Sequence, residues 1–366
     1  MKDAYGRDIT YLRISITDRC NFRCSYCMPE EGVVEKQHRE ILRYEEILDV
    51  ARAAVDLGVT SIRITGGEPL VRRGVVGLVR SLATLKRHGL KDLSMTTNGA
   101  LLKDFARQLK EAGLDRVNIS LDTLDPGRFA SITRLGVLDG TLSGVGAALC
   151  AGLLPVKINV VVQRTKNASE ALDFAWLSWL LPVEVRFIEL MPLGSAAMLN
   201  DEFVSAVEVK EALAIRGQLL PASLSTLGPG TGPARYYEWH PSEATPTAAA
   251  MRAAATVMGV AGAGARLSAC SVNEAARGER GGTVGFITAV SEHFCAACNR
   301  LRMTSDGKLN PCLWSDIQFD AREILRERAA PEQLKALLLA AVAAKPLAHG
   351  QASPETKKRR MSRLGG

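Results

Sequence analysis

The sequence lacks any apolar stretch long enough to cross a membrane and has no apolar segment near its beginning. The longest apolar runs, such as Ala336–Ala344, fall far short of the roughly 20 residues of a membrane span. The segment Met1–Thr10 is charged and has no apolar core of a secretory signal. Eight cysteines without such a signal favour a reducing compartment, where thiols bind metals rather than form disulfides. We therefore expect a cytoplasmic protein with no membrane partner.

The sequence also lacks a strong excess of charge of one sign. Its 46 basic and 39 acidic residues give a net charge of +7, which suits an anionic ligand but is too small to indicate nucleic-acid binding. Apolar residues make up 47% of the 366 positions. The chain is therefore long and apolar enough for one large α/β domain with an extension, or for two domains.

Residues 11–190 alternate between short β-branched runs and helical patterns. The six runs expected to form strands are Tyr11–Thr17, Ser61–Thr65, Asp92–Thr97, Arg116–Leu121, Val156–Val162 and Val183–Leu190. The amphipathic stretches between them include Tyr44–Leu57, Val75–Arg87 and Leu101–Ala112. This order indicates a parallel sheet, either doubly wound or rolled into a β/α barrel. The polar motifs described below follow the strand C-termini, and this position favours the barrel.

The second half of the chain is less regular. A stretch rich in Pro, Gly, Ala and Thr runs from about 221 to 264, and we interpret its middle as a surface insertion or mobile loop with one short helix around Ala248–Val257. Regular patterning resumes at Gly282–Thr288, and Glu323–Ala344 predicts one or two helices. We expect a barrel domain over residues 1–195 and an extension over 196–366, with an insertion at about 241–278.

Three cysteines with C-x3-C-x2-C spacing, Cys20, Cys24 and Cys27, follow the first predicted strand. Three thiolates on one short loop can bind three irons of a [4Fe-4S] cluster and leave the fourth iron open to a small molecule. The alternatives are a zinc site or a ferredoxin-type carrier. Both normally require a fourth protein ligand, which no nearby Cys or His supplies here.

The motif Thr65–Pro69 lies at the end of the second predicted strand. Its adjacent glycines allow a ligand to approach the backbone closely, and Glu68 could hold an ammonium group or the turn itself. A tight strand-to-helix turn would explain the glycines equally well. The three-cysteine loop one strand earlier favours the interpretation of this motif as part of a ligand site.

A second set of three cysteines, Cys295, Cys298 and Cys312, occurs near the C-terminus. Zinc is a serious alternative here, because C-x2-C is a common half-site and His293 is close. Arg300 and Arg302, at alternate positions of an extended segment, would point the same way and suit a phosphate or a nucleobase. This combination favours a second iron-sulfur cluster beside an anionic substrate.

Together these residues resemble the radical S-adenosylmethionine (SAM) enzymes, and within them the GTP 3′,8-cyclase family of molybdenum-cofactor biosynthesis. The further motifs that carry the resemblance are Thr96–Gly99, Asn118–Asp122, Ser291–Cys295 and the terminal Gly365–Gly366. The similarity covers roughly residues 3–240 and 280–366. It implies an incomplete (β/α)6 barrel with a C-terminal α+β extension that closes the open side.

The resemblance also implies a role for each motif residue. Cys20, Cys24 and Cys27 would bind the [4Fe-4S] cluster that chelates SAM, and Cys295, Cys298 and Cys312 would bind a second [4Fe-4S] cluster whose open iron meets guanine. The positions that match SAM contacts are Tyr26, Gly67, Ser120 and Met191. The positions that match GTP contacts are Arg13, Arg63, Thr96, Lys157, Arg300 and Arg302. The tail Gly365–Gly366 would reach back into the active site.

By the same resemblance, a 5′-deoxyadenosyl radical would take the C3′ hydrogen of GTP, and the carbon radical would attack C8 to give (8S)-3′,8-cyclo-7,8-dihydroguanosine 5′-triphosphate. The implied partners are GTP, a reducing electron donor and a cyclic pyranopterin monophosphate synthase that receives the product. A homodimer is a further expectation. Arg13, Arg63 and Lys157 lie on predicted barrel strands. Any one of them alone would be interpreted as an exposed strand charge or a salt bridge, but a buried charge needs a partner, and a triphosphate inside the barrel would supply it.

Two other functions fit parts of the pattern. One is a peptide-modifying radical SAM maturase, although such proteins usually carry more C-terminal cysteines than three. The other is a non-catalytic iron-sulfur or zinc module that recognises nucleotides. Cys150 and Cys270 fall outside both cysteine sets and are interpreted as ordinary thiols, Cys150 in a helix core and Cys270 in the insertion.

Overall fold

Six parallel strands form the centre of the fold, and all six coincide with the predicted runs. The computed structural model describes residues 1–33, 35–222, 232–243, 245–259, 281–327 and 330–348. The six strands are β1 (Tyr11–Ser15), β2 (Ser61–Thr65), β3 (Asp92–Thr97), β4 (Arg116–Ser120), β5 (Val156–Val162) and β6 (Val183–Glu189). They are buried on both faces, as β2 is at every position, because helices follow each strand along the chain.

The helices between these strands pack one apolar stripe each into the same core as the strands. They are α1 (Tyr44–Asp56), α2 (Val75–Ala83), α3 (Leu102–Glu111), α4 (Pro126–Thr133), α5 (Leu138–Cys150) and α6 (Ala171–Leu180). The predicted helix Val75–Arg87 is shorter than expected, because a 3-10 turn over Thr84–His88 replaces its last part. No helix among the described residues is long and apolar enough to span a membrane.

The C-terminal half adds strands at both edges of the six-strand sheet, beside β1 and beside β6. Its strands are β7 (Gly217–Pro221), β8 (Arg235–Pro241), β9 (Gly282–Ile287), β10 (Arg300–Met303), β11 (Lys308–Asn310) and β12 (Phe319–Asp320). Strand β9 pairs with β6 and β10 pairs with β1, both in parallel, in an open sheet of order β12-β11-β10-β1-β2-β3-β4-β5-β6-β9-β8-β7. This open, mostly parallel sheet confirms the predicted incomplete barrel with an extension at its open side.

The described residues of the extension also form the α-helices α7 (Ala206–Ala214), α8 (Ala248–Gly259), α9 (Arg322–Arg326) and α10 (Pro331–Ala343). The short helix predicted in the insertion is thus confirmed as α8. It is not a loop on the surface, because Ala250, Ala253, Ala254 and Val257 are buried where α8 packs on α5 and α6. Residues 260–278, including Cys270, lie outside the described residues.

The prediction that Cys150 lies in a helix core is wrong. Cys150 is the last residue of α5 and is exposed. The buried stripe of this helix passes through Val145, Ala148 and Leu149, so position 150 points away from it.

Candidate active site

One cavity at the C-terminal ends of the barrel strands brings together nearly all of the predicted site residues. Those that line it are Arg13, Cys20, Cys24, Tyr26, Cys27, Arg63, Gly67, Thr96, Ser120, Met191, Cys295, Cys298, Arg300, Arg302 and Cys312. The two cysteine sets are 268 residues apart in sequence (Cys27 to Cys295) and still face the same space. Lys157 is not among the lining residues, and Gly365 and Gly366 lie outside the described part of the chain.

The first cysteine loop is held by its own backbone and by the end of α4. Cys27 N donates to Cys24 O at 2.9 Å, while Arg23 N and Ser25 N donate to carbonyls of Thr133 and Ile132, each at 2.9 Å. Burial raises the pKa of the Cys20 thiol to about 11. A positively charged iron at the sulfur would favour the thiolate instead, so these thiols suit metal binding.

The glycine motif lies directly against this loop. Gly67 N donates to Thr17 O at 2.7 Å and Glu68 N donates to Arg19 O at 2.8 Å. A Cβ at Gly67 would lie 2.2 Å from Arg19 O, a distance that no side chain can occupy. The glycine is therefore required by the close approach of the two backbones.

Of the two roles considered for Glu68, the structure shows that it holds the turn. Its buried carboxylate accepts hydrogen bonds from Leu70 N at 3.0 Å, Thr97 Oγ1 at 2.8 Å and Asn98 N at 2.7 Å. Burial raises its pKa to about 7, against the lowering effect of these hydrogen bonds. Asn98 in turn donates to Asn21 Oδ1 at 2.8 Å. Glu68 thus connects β2, β3 and the cysteine loop.

Three arginines lie side by side across neighbouring strands of the cavity. In the sheet register Arg13 of β1 is opposite Arg302 of β10 on one side and Arg63 of β2 on the other. Burial, together with neighbouring guanidinium groups that include Arg300, lowers the pKa of Arg63 and of Arg302 to about 10. A multiply charged anion bound here would relieve this repulsion.

Polar atoms in the same cavity also indicate a polar ligand. Within the described part of the chain, Tyr11 Oη, Thr96 Oγ1 and Asn159 Oδ1 are buried and make no hydrogen bond to protein. All three residues line the cavity. A ligand with hydroxyl or amide groups could satisfy these atoms, whose burial is otherwise unfavourable.

The charge partner of Lys157 is a protein side chain. Lys157 Nζ forms a buried ion pair with Glu184 Oε2 at 2.5 Å and donates to Tyr236 Oη at 3.1 Å. Burial lowers its pKa to about 8, and Glu184 opposes that effect. Lys157 therefore does not need a triphosphate as its charge partner, and that expectation is wrong for this residue. Its contact with GTP stays a prediction.

The sequence reasoning missed Arg186, which lines the cavity from β6 and donates to Asn118 Oδ1. Its signal was present, because an arginine interrupts the apolar run Val183–Glu189 just as Arg13 interrupts the first strand. It also missed Glu189, a buried carboxylate that accepts from Val290 N and Ser291 N, each at 2.9 Å. Glu189 anchors the segment that leads into the second cysteine set.

The cysteines of the second set lie on a turn before β10 and on the segment after β11. Cys298 N donates to Cys295 O at 3.1 Å, β10 begins two residues later, and Cys312 follows β11. Burial raises the pKa of the Cys298 thiol, but Lys345 and Arg300 outweigh this effect, so its pKa lies below the ordinary value. A thiol next to fixed positive charge is suited to binding a metal as thiolate.

Neither cysteine set is arranged around a single ion. Among the described residues, no group of three or more His, Cys, Asp or Glu side chains could hold one metal ion. A structural zinc ion needs its ligands to converge at about 2.3 Å from one centre. A four-iron cluster takes each thiolate on a different iron, so the thiols stay apart. The residues present fit clusters better than zinc at both sets.

The open parallel barrel, with three thiols on a loop after its first strand and a glycine motif after its second, defines the chain as a radical SAM protein. The model of the radical SAM superfamily matches residues 14–175, and the model described as Molybdenum Cofactor Synthesis C matches residues 268–351. Proteins named GTP 3′,8-cyclase are 45% identical in Pelotomaculum thermopropionicum and Moorella thermoacetica and 43% identical in Thermodesulfovibrio yellowstonii, with 100% of both chains covered in each case. The chain belongs to the GTP 3′,8-cyclase family.

A solved structure shares the fold at low sequence similarity. SuiB of Streptococcus suis, bound to its precursor peptide SuiA, has a TM-score of 0.52 and 15% identity over 92% of this chain and 67% of that chain. This similarity shows the fold alone.

Proposed function

We propose that the cavity binds SAM and GTP together, and that the chain converts GTP to (8S)-3′,8-cyclo-7,8-dihydroguanosine 5′-triphosphate, the first step of molybdenum-cofactor biosynthesis. The observation that carries this proposal is the row Arg302–Arg13–Arg63, which lines the same cavity as both cysteine sets. Full-length similarity to proteins named GTP 3′,8-cyclase supports the same reaction.

The first cysteine set and the glycine motif would form the SAM site. Cys20, Cys24 and Cys27 would hold a [4Fe-4S] cluster, and Gly67, Ser120, Tyr26 and Met191, which line the same cavity, would contact SAM. Tyr26 is fixed by a hydrogen bond from its hydroxyl to Asp122 Oδ2 at 2.8 Å. When bound and reduced, the cluster and SAM supply a 5′-deoxyadenosyl radical.

The arginine row would bind the triphosphate of GTP. Arg13, Arg63 and Arg302 present guanidinium groups to one space, and Thr96 adds a buried hydroxyl. One guanidinium group can bind two phosphate oxygens at once. Several such groups therefore balance the charge of the triphosphate and also fix the position of the ribose attached to it. Fixing the ribose matters, because a radical reacts with whichever hydrogen lies nearest.

The second cysteine set would hold another [4Fe-4S] cluster with an iron that contacts guanine. Cys295, Cys298 and Cys312 supply three thiols, and Arg300 lies beside them in the cavity. Lys157, which forms an ion pair with Glu184, is proposed as a further contact of GTP.

Several wider features remain proposals. We expect a cytoplasmic enzyme that receives electrons from a reducing donor, passes its product to a cyclic pyranopterin monophosphate synthase and forms a homodimer. We also keep the division into residues 1–195 and 196–366, and the role of Gly365–Gly366 in reaching the active site.

The test is an anaerobic assay of the reconstituted protein with SAM and dithionite. We expect 5′-deoxyadenosine formation to depend on GTP, with ATP as the matched control, and GTP to become an isomer of the same mass. SAM cleavage indifferent to GTP would contradict the substrate. No cleavage by protein loaded with both clusters would indicate a nucleotide-binding module instead.

A further inference from the structure

Lys345 lies between two segments that carry cysteines of the second set. It is the second residue after α10, and its side chain is buried. Its ammonium group donates to Arg300 O and to Pro311 O, each at 2.8 Å. Arg300 comes two residues after Cys298, and Pro311 immediately precedes Cys312. One buried charge thus joins the two segments.

Arg7 connects the remaining cysteine to the same C-terminal stretch. Its guanidinium group donates to Cys295 O at 2.7 Å, to Pro346 O at 2.6 Å and to Leu347 O at 2.9 Å. Asp3 holds Arg7 in place through an ion pair of 2.6 Å, in which the side chains are 8% and 0% exposed. The N-terminal segment is therefore part of the support of a site almost 300 residues away.

These contacts act on all three cysteines through backbone carbonyls. A planar guanidinium group can serve several acceptors at fixed angles, and an ammonium group has three donors, two of which are used here by carbonyls. The positive charge of Lys345 also lowers the pKa of the Cys298 thiol and opposes the rise at Cys312. Arg7 and Lys345 therefore hold the backbone segments that carry the three cysteines.

We propose that Arg7 and Lys345 are positioning residues that hold Cys295, Cys298 and Cys312 in the arrangement that receives the second cluster, and that the charge of Lys345 raises the reduction potential of that cluster. The inference rests on the second cluster of the proposed function. Reduction adds negative charge to a cluster, and a buried cation beside its thiolates stabilises the reduced form.

The experiment uses the full chain with Cys20, Cys24 and Cys27 changed to Ala, so that only the second set can bind a cluster. After anaerobic reconstitution this background should hold about four iron atoms per chain. In it, Lys345→Met should release iron to a chelator about ten-fold faster, as expected for the loss of hydrogen bonds from a charged group. Its midpoint potential, followed by electron paramagnetic resonance, should become more negative, while Lys345→Arg should keep the potential.

The matched control is Lys335→Met in α10, the helix that precedes Lys345, where Lys335 pairs with Asp56 at 3.0 Å on the surface. It should change neither iron release nor potential. Unchanged release and potential in Lys345→Met would overturn the proposal. Should that variant not fold, Arg7→Lys is measured instead. It removes the planar guanidinium group and must also release iron faster. A background protein without iron would overturn the second cluster itself, and the proposal with it.

Discussion

Gly67 shows how a single residue can decide the architecture of the site. The backbone at this position approaches Arg19 so closely that an added Cβ would lie 2.2 Å from its carbonyl oxygen. The motif was recognisable in the sequence, but a tight turn explained its glycines equally well. The structure shows a further reason for Gly67, because the atoms that exclude a side chain belong to the backbone of Asp18 and Arg19, just before Cys20.

We predict that Gly67→Ala displaces the loop that carries Cys20 and removes the first cluster. Iron should fall from about eight to about four atoms per chain, because the second set is unaffected. The control is Gly77→Ala in α2, where an added Cβ meets nothing within 4 Å and should be neutral or slightly stabilising. Full iron content in Gly67→Ala would contradict the role given to this glycine.

Helix α8 is the element whose role the sequence indicated least well. Its alanine-rich composition predicted a short helix but gave no sign of which surface it covers. The structure shows a buried face of small residues against α5 and α6, with Ala253 only 3% exposed. Small residues at such a contact allow helices to approach closely, so the element belongs to the core of this chain.

We predict that Ala253→Leu lowers the free energy of unfolding by about 1–3 kcal/mol, because extra methylene groups cannot fit between the packed helices. The measurement is the midpoint of guanidinium unfolding. Met251→Ala, at an exposed position of the same helix, should leave the midpoint nearly unchanged. Equal midpoints for Ala253→Leu and the parent protein would show that α8 is not packed as described.

At the scale of the whole molecule, the extension and the barrel share one sheet. Strand β10 pairs with β1 through Leu12 and Leu301, and β9 pairs with β6 along five residue pairs from Glu184 to Ile188. Parallel pairing of this kind removes the edges that an isolated six-strand barrel would expose. The two halves therefore depend on each other for stability.

We predict a single cooperative unfolding transition for the cluster-free protein. Far-ultraviolet circular dichroism, which reports the helices of both halves, and the reactivity of Cys295 and Cys298 toward a thiol reagent should change at the same denaturant concentration. Reactive C-terminal thiols at a clearly lower concentration would show that the extension unfolds by itself.

Features of the site that depend on residues close together in the sequence could be predicted, whereas contacts between residues far apart in the sequence could not. Both cysteine sets could be found because their spacing is local, and the strands because β-branched runs form wherever both faces are buried. Lys157 was correctly placed on a strand, yet its partner Glu184 could not be identified, because the register between β5 and β6 is a tertiary property. Arg7 and Lys345 gave no local signal for the same reason.

The sequence by itself determined the chemistry of this protein: two sets of three thiols, a glycine motif and cations on otherwise apolar strands. Only the tertiary structure decided which of these groups meet. It places Arg13 between Arg302 and Arg63, brings Arg7 and Lys345 to the second cysteine set, and packs α8 into the core. Chemical identity is carried by each side chain, whereas proximity arises from strand order and register, which depend on the burial of the whole apolar core.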